Sequence, residues 1–318
     1  MVKCAYVFPG QGAQYVGMGK DLYQNFPEAK YIFDEANDIL QYDIAHLCFE
    51  GPQEELVKTQ NCQAAILTCS VAGLRVFEGI YGAFVGAPSF TAGLSLGEYS
   101  ALVASESLIF SEALMLVRKR GIFMAESSQK NPGKMLAIIG LSVDDAEKLC
   151  KETNTEIANL NSPGQIILSG RNADIEHAAA LSKQYNAKRA LMLDVSGAFH
   201  CSLMNEAADL LKSYIDKLNF SHARIPVVGN FSADASSSPE VIKGNLVKQV
   251  NHTTRWEESI RFIIRNGISH FIEIGPGNVL KGLIRKIDPG TVVYNIDDAK
   301  SLNDFKNAFK DICPDVNP

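Results

Sequence analysis

The chain has one Trp, six His and seven Cys among its 318 residues, and no two of the cysteines form a C-x-x-C pair. Cys4, Cys48, Cys62, Cys69, Cys150, Cys201 and Cys313 are odd in number and scattered. That excludes a disulfide framework and a zinc ribbon and reads as reduced thiols. None of the histidines (His46, His177, His200, His222, His252 and His270) shows H-x-x-x-H or H-E-x-x-H spacing, so the chemistry is expected to need neither a metal nor another cofactor. A basic surplus is missing too. Thirty Lys+Arg face 36 Asp+Glu, a formal net charge of -6, which offers no field for a nucleic acid partner. No apolar run reads as approaching the roughly 20 residues that span a bilayer, and the N-terminal run 4–8 is stopped at once by Pro9-Gly10, too short for a secretion signal. The expectation is a cytoplasmic protein with no membrane partner.

Hydrophobic residues make up 46% and charged residues 21%, the balance of a globular chain, and the length suggests about two domains. Short β-rich runs alternate with stretches of helical periodicity, the pattern of an α/β protein with a largely parallel sheet. Strands are expected at 5–8, 89–93, 135–139, 166–169, 188–193, 226–229, 270–274 and 291–294. A helix is expected over 111–129, with Ser111 as its N-cap. Residues 132–195 differ in character. They read strand, helix, strand, strand, helix, strand, the ferredoxin-like order, so this stretch is expected to be a small insertion in a larger α/β body.

The most specific local signal is Gly93-Leu94-Ser95-Leu96-Gly97, a G-x-S-x-G between a strand-like and a helix-like run. Such a sharp turn exposes the serine at the end of a strand, flanked by glycines that allow a crowded backbone. The N–H of Leu96, at a helix start, can hold an oxyanion. Read alone, the motif is as consistent with an ordinary strand-to-helix turn. A serine hydroxyl needs a base, and His200, in Ser196-Gly197-Ala198-Phe199-His200, lies between a strand and an amphipathic helix, where sites of open α/β sheets form; a capping or surface role is the alternative. Pro9-Gly10-Gln11-Gly12-Ala13-Gln14 follows the first strand and fits neither G-x-G-x-x-G nor a phosphate-binding loop, which favours a turn donating an N–H. In Arg118-Lys119-Arg120, successive residues step by about 100° around a helix. One of the three must therefore leave the solvated face; an inward Arg120 suits a carboxylate, and a solvated terminus is the competing reading.

Taken together, the segments FPGQGAQYVGMG (8–19), GLSLGEYSALVA (93–104), LVRKRGIFM (116–124), IANLNSPGQIILSG (157–170), GAFHCSLM (197–204), LVKQV (246–250) and EIGPGNVLKGLI (273–284) resemble the bacterial malonyl-CoA:acyl carrier protein transacylases of fatty acid synthesis. They occur in that family's order over nearly the whole chain. The resemblance implies an α/β-hydrolase-like parallel-sheet core, residues 1–127 and 197–318, carrying a small ferredoxin-like subdomain, residues 128–196. It implies a metal-free acyltransferase in which Ser95 is the nucleophile and His200 the base, oriented by the main-chain carbonyl of Gln249. The backbone N–H groups of Gln11 and Leu96 would hold the oxyanion. Arg120 matches the residue that pairs with the malonyl carboxylate, and Phe199 the position where Phe accompanies malonyl rather than methylmalonyl in related polyketide acyltransferases. Malonyl-CoA and an acidic acyl carrier protein are the implied partners, with Lys281, Arg285 and Lys286 as basic docking candidates. The family most often has His where this chain has Leu94. A trans-acting acyltransferase or acyl-thioester hydrolase of polyketide synthesis shares the other motifs and is the alternative; a catalytically silent carrier-binding scaffold is a further rival.

Overall fold

Cys4–Phe8 is apolar at every position and buried throughout, which is how a strand covered on both faces reads. The computed structural model describes residues 3–312; Cys313 lies outside them. Its strands, in chain order, are β1 (Cys4–Phe8), β2 (Phe90–Gly93), β3 (Gly133–Ile139), β4 (Glu156–Ser162), β5 (Gln165–Arg171), β6 (Arg189–Met192), β7 (Val227–Val228), β8 (Ala235–Ser236), β9 (His270–Ile274) and β10 (Val292–Ile296). They form a six-stranded sheet in the order β10-β9-β1-β2-β7-β8 and a four-stranded sheet in the order β4-β5-β3-β6. The chain is thus a mixed α/β protein whose larger sheet is parallel from β10 to β7; β8 pairs antiparallel at its edge and was not foreseen from the sequence.

The alternation along β1 divides the core. Cys4, Tyr6 and Phe8 face a cluster that includes Ala64, Leu67, Val71 and Phe77 of the helix Thr59–Val85, where Tyr6 and Phe77 meet edge to face at 5.7 Å. Ala5 and Val7 face Trp256, Ile260, Leu280 and Ile284 on the helices Trp256–Arg265 and Val279–Ile287. Successive strand residues point to opposite faces, so five residues seal two layers. The helix Thr59–Val85 corrects the sequence reading, because its length and composition would let it cross a bilayer. Gln63, Arg75 and Glu78 break the run in one dimension and hid it. With 78% of its most apolar window buried, it is a core helix.

The smaller sheet is built from consecutive pieces in the order β3, helix Val143–Thr153, β4, β5, helix Asn172–Leu181, β6. Leu136, Ile138, Ile166 and Leu168 pack under those helices against Ala146, Leu149, Ile175 and Ala178. The intervening residues Met135, Ala137 and Ile167 point the other way, toward the larger body. The helix expected over 111–129 spans Phe110–Lys130, and its N-cap is Ile109 rather than Ser111. The residue ahead of an apolar Phe110 takes the extended conformation with no side-chain cap, and Ser111 falls inside the first turn.

Where β1 and β2 end, the backbones nearly touch. A Cβ built on Gly97 would stand 2.0 Å from the carbonyl oxygen of Phe8, and one on Gly93 would stand 1.9 Å from the carbonyl carbon of Gly97. No side chain fits, because backbone on both sides cannot yield. Gly97→Ala is expected to destabilise the protein by about 3 kcal/mol or more, read as a lowered urea unfolding midpoint.

Candidate active site

Gly93 pairs with Phe8 on the last rung between β1 and β2, and the chain then turns sharply: Leu94 N–H bonds to Phe8 O at 3.0 Å and Gly97 N–H to Leu94 O at 2.9 Å. Ser95, between them, has φ of 52°, a left-handed conformation that costs a non-glycine residue on the order of 1 kcal/mol or more. Asn230 holds the turn from outside, accepting Ser95 N–H on Oδ1 at 2.6 Å and donating Nδ2–H to Gly93 O at 2.7 Å. His200 is also left-handed, with φ of 58°. Two such residues facing each other form a strained pair that the surrounding packing must maintain.

Ser95 Oγ lies 2.8 Å from His200 Nε2, and His200 Nδ1 lies 2.7 Å from the carbonyl oxygen of Gln249. A carbonyl only accepts, so Nδ1 carries the proton and Nε2 presents its lone pair to the serine O–H. Burial, reinforced by the Arg120 charge and opposed by the Gln249 bond, pulls the histidine down to about 4. Its ring is therefore neutral at physiological pH, the form that can take a proton.

Arg120, on the helix Phe110–Lys130, is 1% exposed. Arg118 and Lys119 stay on the half-buried flank, as the helical step requires. Its NH1 donates to Gln63 Oε1 at 2.8 Å and its NH2 to Ser95 Oγ and Gln249 Oε1, each at 3.0 Å, while Nε has no hydrogen-bond acceptor among the described residues. The guanidinium sits 5.4 Å over the Tyr99 ring. Burial lowers its pKa, opposed by Tyr99 and Glu98. Glu98 is buried too and is pushed up to about 7 by desolvation, against hydrogen bonds from Asn230 and Gln249 and the charge of Arg120.

A cavity of 270 Å³ opens over these groups. Gly10, Gln11, Leu94, Ser95, Arg120, Phe199 and His200 line one side, and Met135, Ala137, Asn159, Asn161 and Gln165 of the smaller sheet the other. Among the sequence candidates, Gln11, Ser95, Arg120, Phe199 and His200 thus share one chamber; Leu96 and Gln249 are fully buried and are not among its lining residues. The N–H groups of Gln11 and Leu96 meet no acceptor among the described residues. Lys281, Arg285 and Lys286 lie on a helix outside the chamber, with Lys286 Nζ reaching Gln165 Oε1 at 3.3 Å. Sequence reasoning missed Gln63, Glu98, Asn230 and the wall amides Asn159, Asn161 and Gln165. For Glu98 a signal existed, a lone acid in the otherwise uncharged helix Gly97–Ala104.

Residues 5–308 match the acyl transferase domain family. The chain belongs to this family. Its relatives include the malonyl CoA-acyl carrier protein transacylase of Bacillus subtilis (strain 168), 45% identical over 321 aligned residues, covering 96% of this chain and 99% of the relative. Among solved structures, an acyl carrier protein S-malonyltransferase from Vibrio cholerae superposes with a TM-score of 0.92 at 39% identity, over 96% of this chain and 100% of that one. A malonyl-transacylase in complex with its type II PKS acyl-carrier protein superposes with a TM-score of 0.91 at 41% identity, over 95% and 98%. Within this acyl transferase family member, the electrostatics give a direct expectation. The His200 ring resonances should titrate near pH 4 by NMR and move upward in Arg120→Gln, which removes the charge disfavouring the imidazolium; an unchanged midpoint would refute the coupling.

Proposed function

We propose that this acyltransferase moves a malonyl group from malonyl-CoA to the phosphopantetheine thiol of an acyl carrier protein through a malonyl ester on Ser95. The observation that carries this reading is the buried Arg120 guanidinium at 3.0 Å from Ser95 Oγ, with three neutral acceptors and no ion pair among the described residues. A malonyl carboxylate supplies that anion, in the fork geometry guanidinium favours, whereas acetyl leaves the cation unmatched. Phe199, on the chamber wall, limits room at the α-carbon, which favours malonyl over methylmalonyl.

In the first half-reaction Ser95 Oγ gives its proton to His200 Nε2 and bonds to the thioester carbonyl carbon. The oxyanion forms against the N–H groups of Gln11 and Leu96, donors with no other acceptor among the described residues. The C–S bond then breaks, and the departing CoA sulfur takes the proton from Nε2. The second half repeats the steps with the carrier thiol as nucleophile and Ser95 Oγ as leaving group. Pairing of Arg120 with the substrate carboxylate offsets the charge that depresses His200, so the base strengthens when the correct acyl group is present.

The strand order β4-β5-β3-β6 with two helices on one face supports a ferredoxin-like subdomain over 128–196. The parallel sheet with a nucleophile turn after β2 supports a hydrolase-like large subdomain over 1–127 and 197–318. Lys281, Arg285 and Lys286 form no ion pair among the described residues, and Lys286 touches the chamber wall at Gln165; both support docking of an acidic carrier there. Six buried free thiols support a reducing, cytoplasmic setting. The relative solved with a polyketide carrier supports the same chemistry with a carrier of that pathway as the second reading.

Intact-protein mass spectrometry after mixing with malonyl-CoA should show an adduct on Ser95 that moves to a phosphopantetheinylated carrier and is absent in Ser95→Ala. An adduct lost only to water would make the protein a hydrolase; no adduct would make it a scaffold. Arg120→Ala should lower kcat/KM for malonyl-CoA by about a hundredfold or more and shift preference toward acetyl-CoA.

A further inference from the structure

Glu98 stands in the first turn of the helix Gly97–Ala104, where an acid can offset the helix dipole while remaining in water. This one is only 1% exposed and reaches across the fold. Its Oε2 accepts the backbone N–H of Asn230 at 3.0 Å and Nε2–H of Gln249 at 2.7 Å. No Lys or Arg among the described residues forms an ion pair with it. Withdrawing a carboxyl from water without a cationic partner costs stability, so its placement calls for a role at the site.

The Gln249 amide shows that role. Oε1 accepts from Arg120 NH2 at 3.0 Å, while Nε2 donates both to Ser95 O at 2.9 Å and to Glu98. Turned over, the amide would set its NH₂ against the guanidinium and its oxygen against two acceptors, three mismatches at once. Asn230, whose N–H is fixed by Glu98, is the residue that holds the Ser95 N–H and Gly93 O. We propose that Glu98 is a positioning residue: through Gln249 it keeps Arg120 aimed at the acyl carboxylate, and through Asn230 it holds the turn that presents Ser95. This rests on the malonyl-transfer reading and adds to it the group that sets acyl specificity from behind the chamber.

The experiment follows the rate of Ser95 acylation by malonyl-CoA and by acetyl-CoA, each over a range of concentrations below saturation, by mass spectrometry, in wild type, Glu98→Gln and Glu98→Ala. Glu98→Gln keeps an acceptor oxygen for both donors and should retain the malonyl-to-acetyl ratio of kcat/KM within about threefold; Glu98→Ala should lower that ratio by about tenfold or more, since the freed amide no longer aims Arg120. Equal proportional losses for both acyl groups, or a Gln variant no better than Ala, would overturn the proposal and leave Glu98 a packing residue. Should Glu98→Ala fail to fold, Glu98→Asp, one methylene short of both donors, is read in the same way. A wild type that forms no malonyl adduct would sink the malonyl-transfer reading itself, a result separate from any effect of the Glu98 variants.

Discussion

Arg120 is almost entirely removed from water, and among the described residues NH1 and NH2 donate only to the neutral oxygens of Gln63, Gln249 and Ser95. A guanidinium stays charged at any ordinary pH, and a charge in such a place is tolerable only if every neighbouring dipole is turned toward it. That requirement propagates. It fixes the amide of Gln249, hence the acceptor chosen by its Nε2, hence the need for Glu98 and Asn230 behind the serine turn. Burial depresses His200, and the Arg120 charge adds to that shift. Ser95, His200 and Arg120 are therefore one electrostatic unit, in which no member can be changed without altering the field felt by the others.

The fold supplies the rigid frame for that unit. The serine turn follows β2, the loop bearing Gln11 follows β1, and the two strands are adjacent and parallel, so both loops emerge at the same edge. Contributions from outside the sheet arrive on helices, with Gln63 on Thr59–Val85, Arg120 on Phe110–Lys130 and Gln249 on Pro239–Asn251. Secondary elements hold side chains more firmly than loops do, which matters where hydrogen bonds must keep two left-handed residues in place.

Much of this was legible in the sequence because it is local. The strand-turn-helix around Ser95 carries its glycines and serine within five residues, and Arg120 was marked by three cations that one helix face cannot hold. The order of elements over 132–195 was readable because each is short and bounded by turn residues. What escaped was long-range. Glu98 and Asn230 are 132 positions apart and Arg120 and Gln63 57, and a polar side chain in an apolar helix does not announce its partner. Ser111 misled because a cap is defined by backbone geometry, which begins one residue earlier at Phe110. The helix Thr59–Val85 is hard to read because polar residues interrupt its apolar run, Gln63 from within the core and Arg75 and Glu78 from its half-exposed side.

The alternation along β3 separates two duties. Leu136 and Ile138 lock the smaller sheet to its own helices, whereas Met135 and Ala137, one position away, face the chamber over Ser95. The two faces of one strand thus join the smaller sheet to its own helices on one side and to the larger body and the chamber on the other. Exchanging Met135 or Ala137 for another apolar side chain would reshape the chamber while leaving the contacts of Leu136 and Ile138 with the helices of the smaller sheet in place.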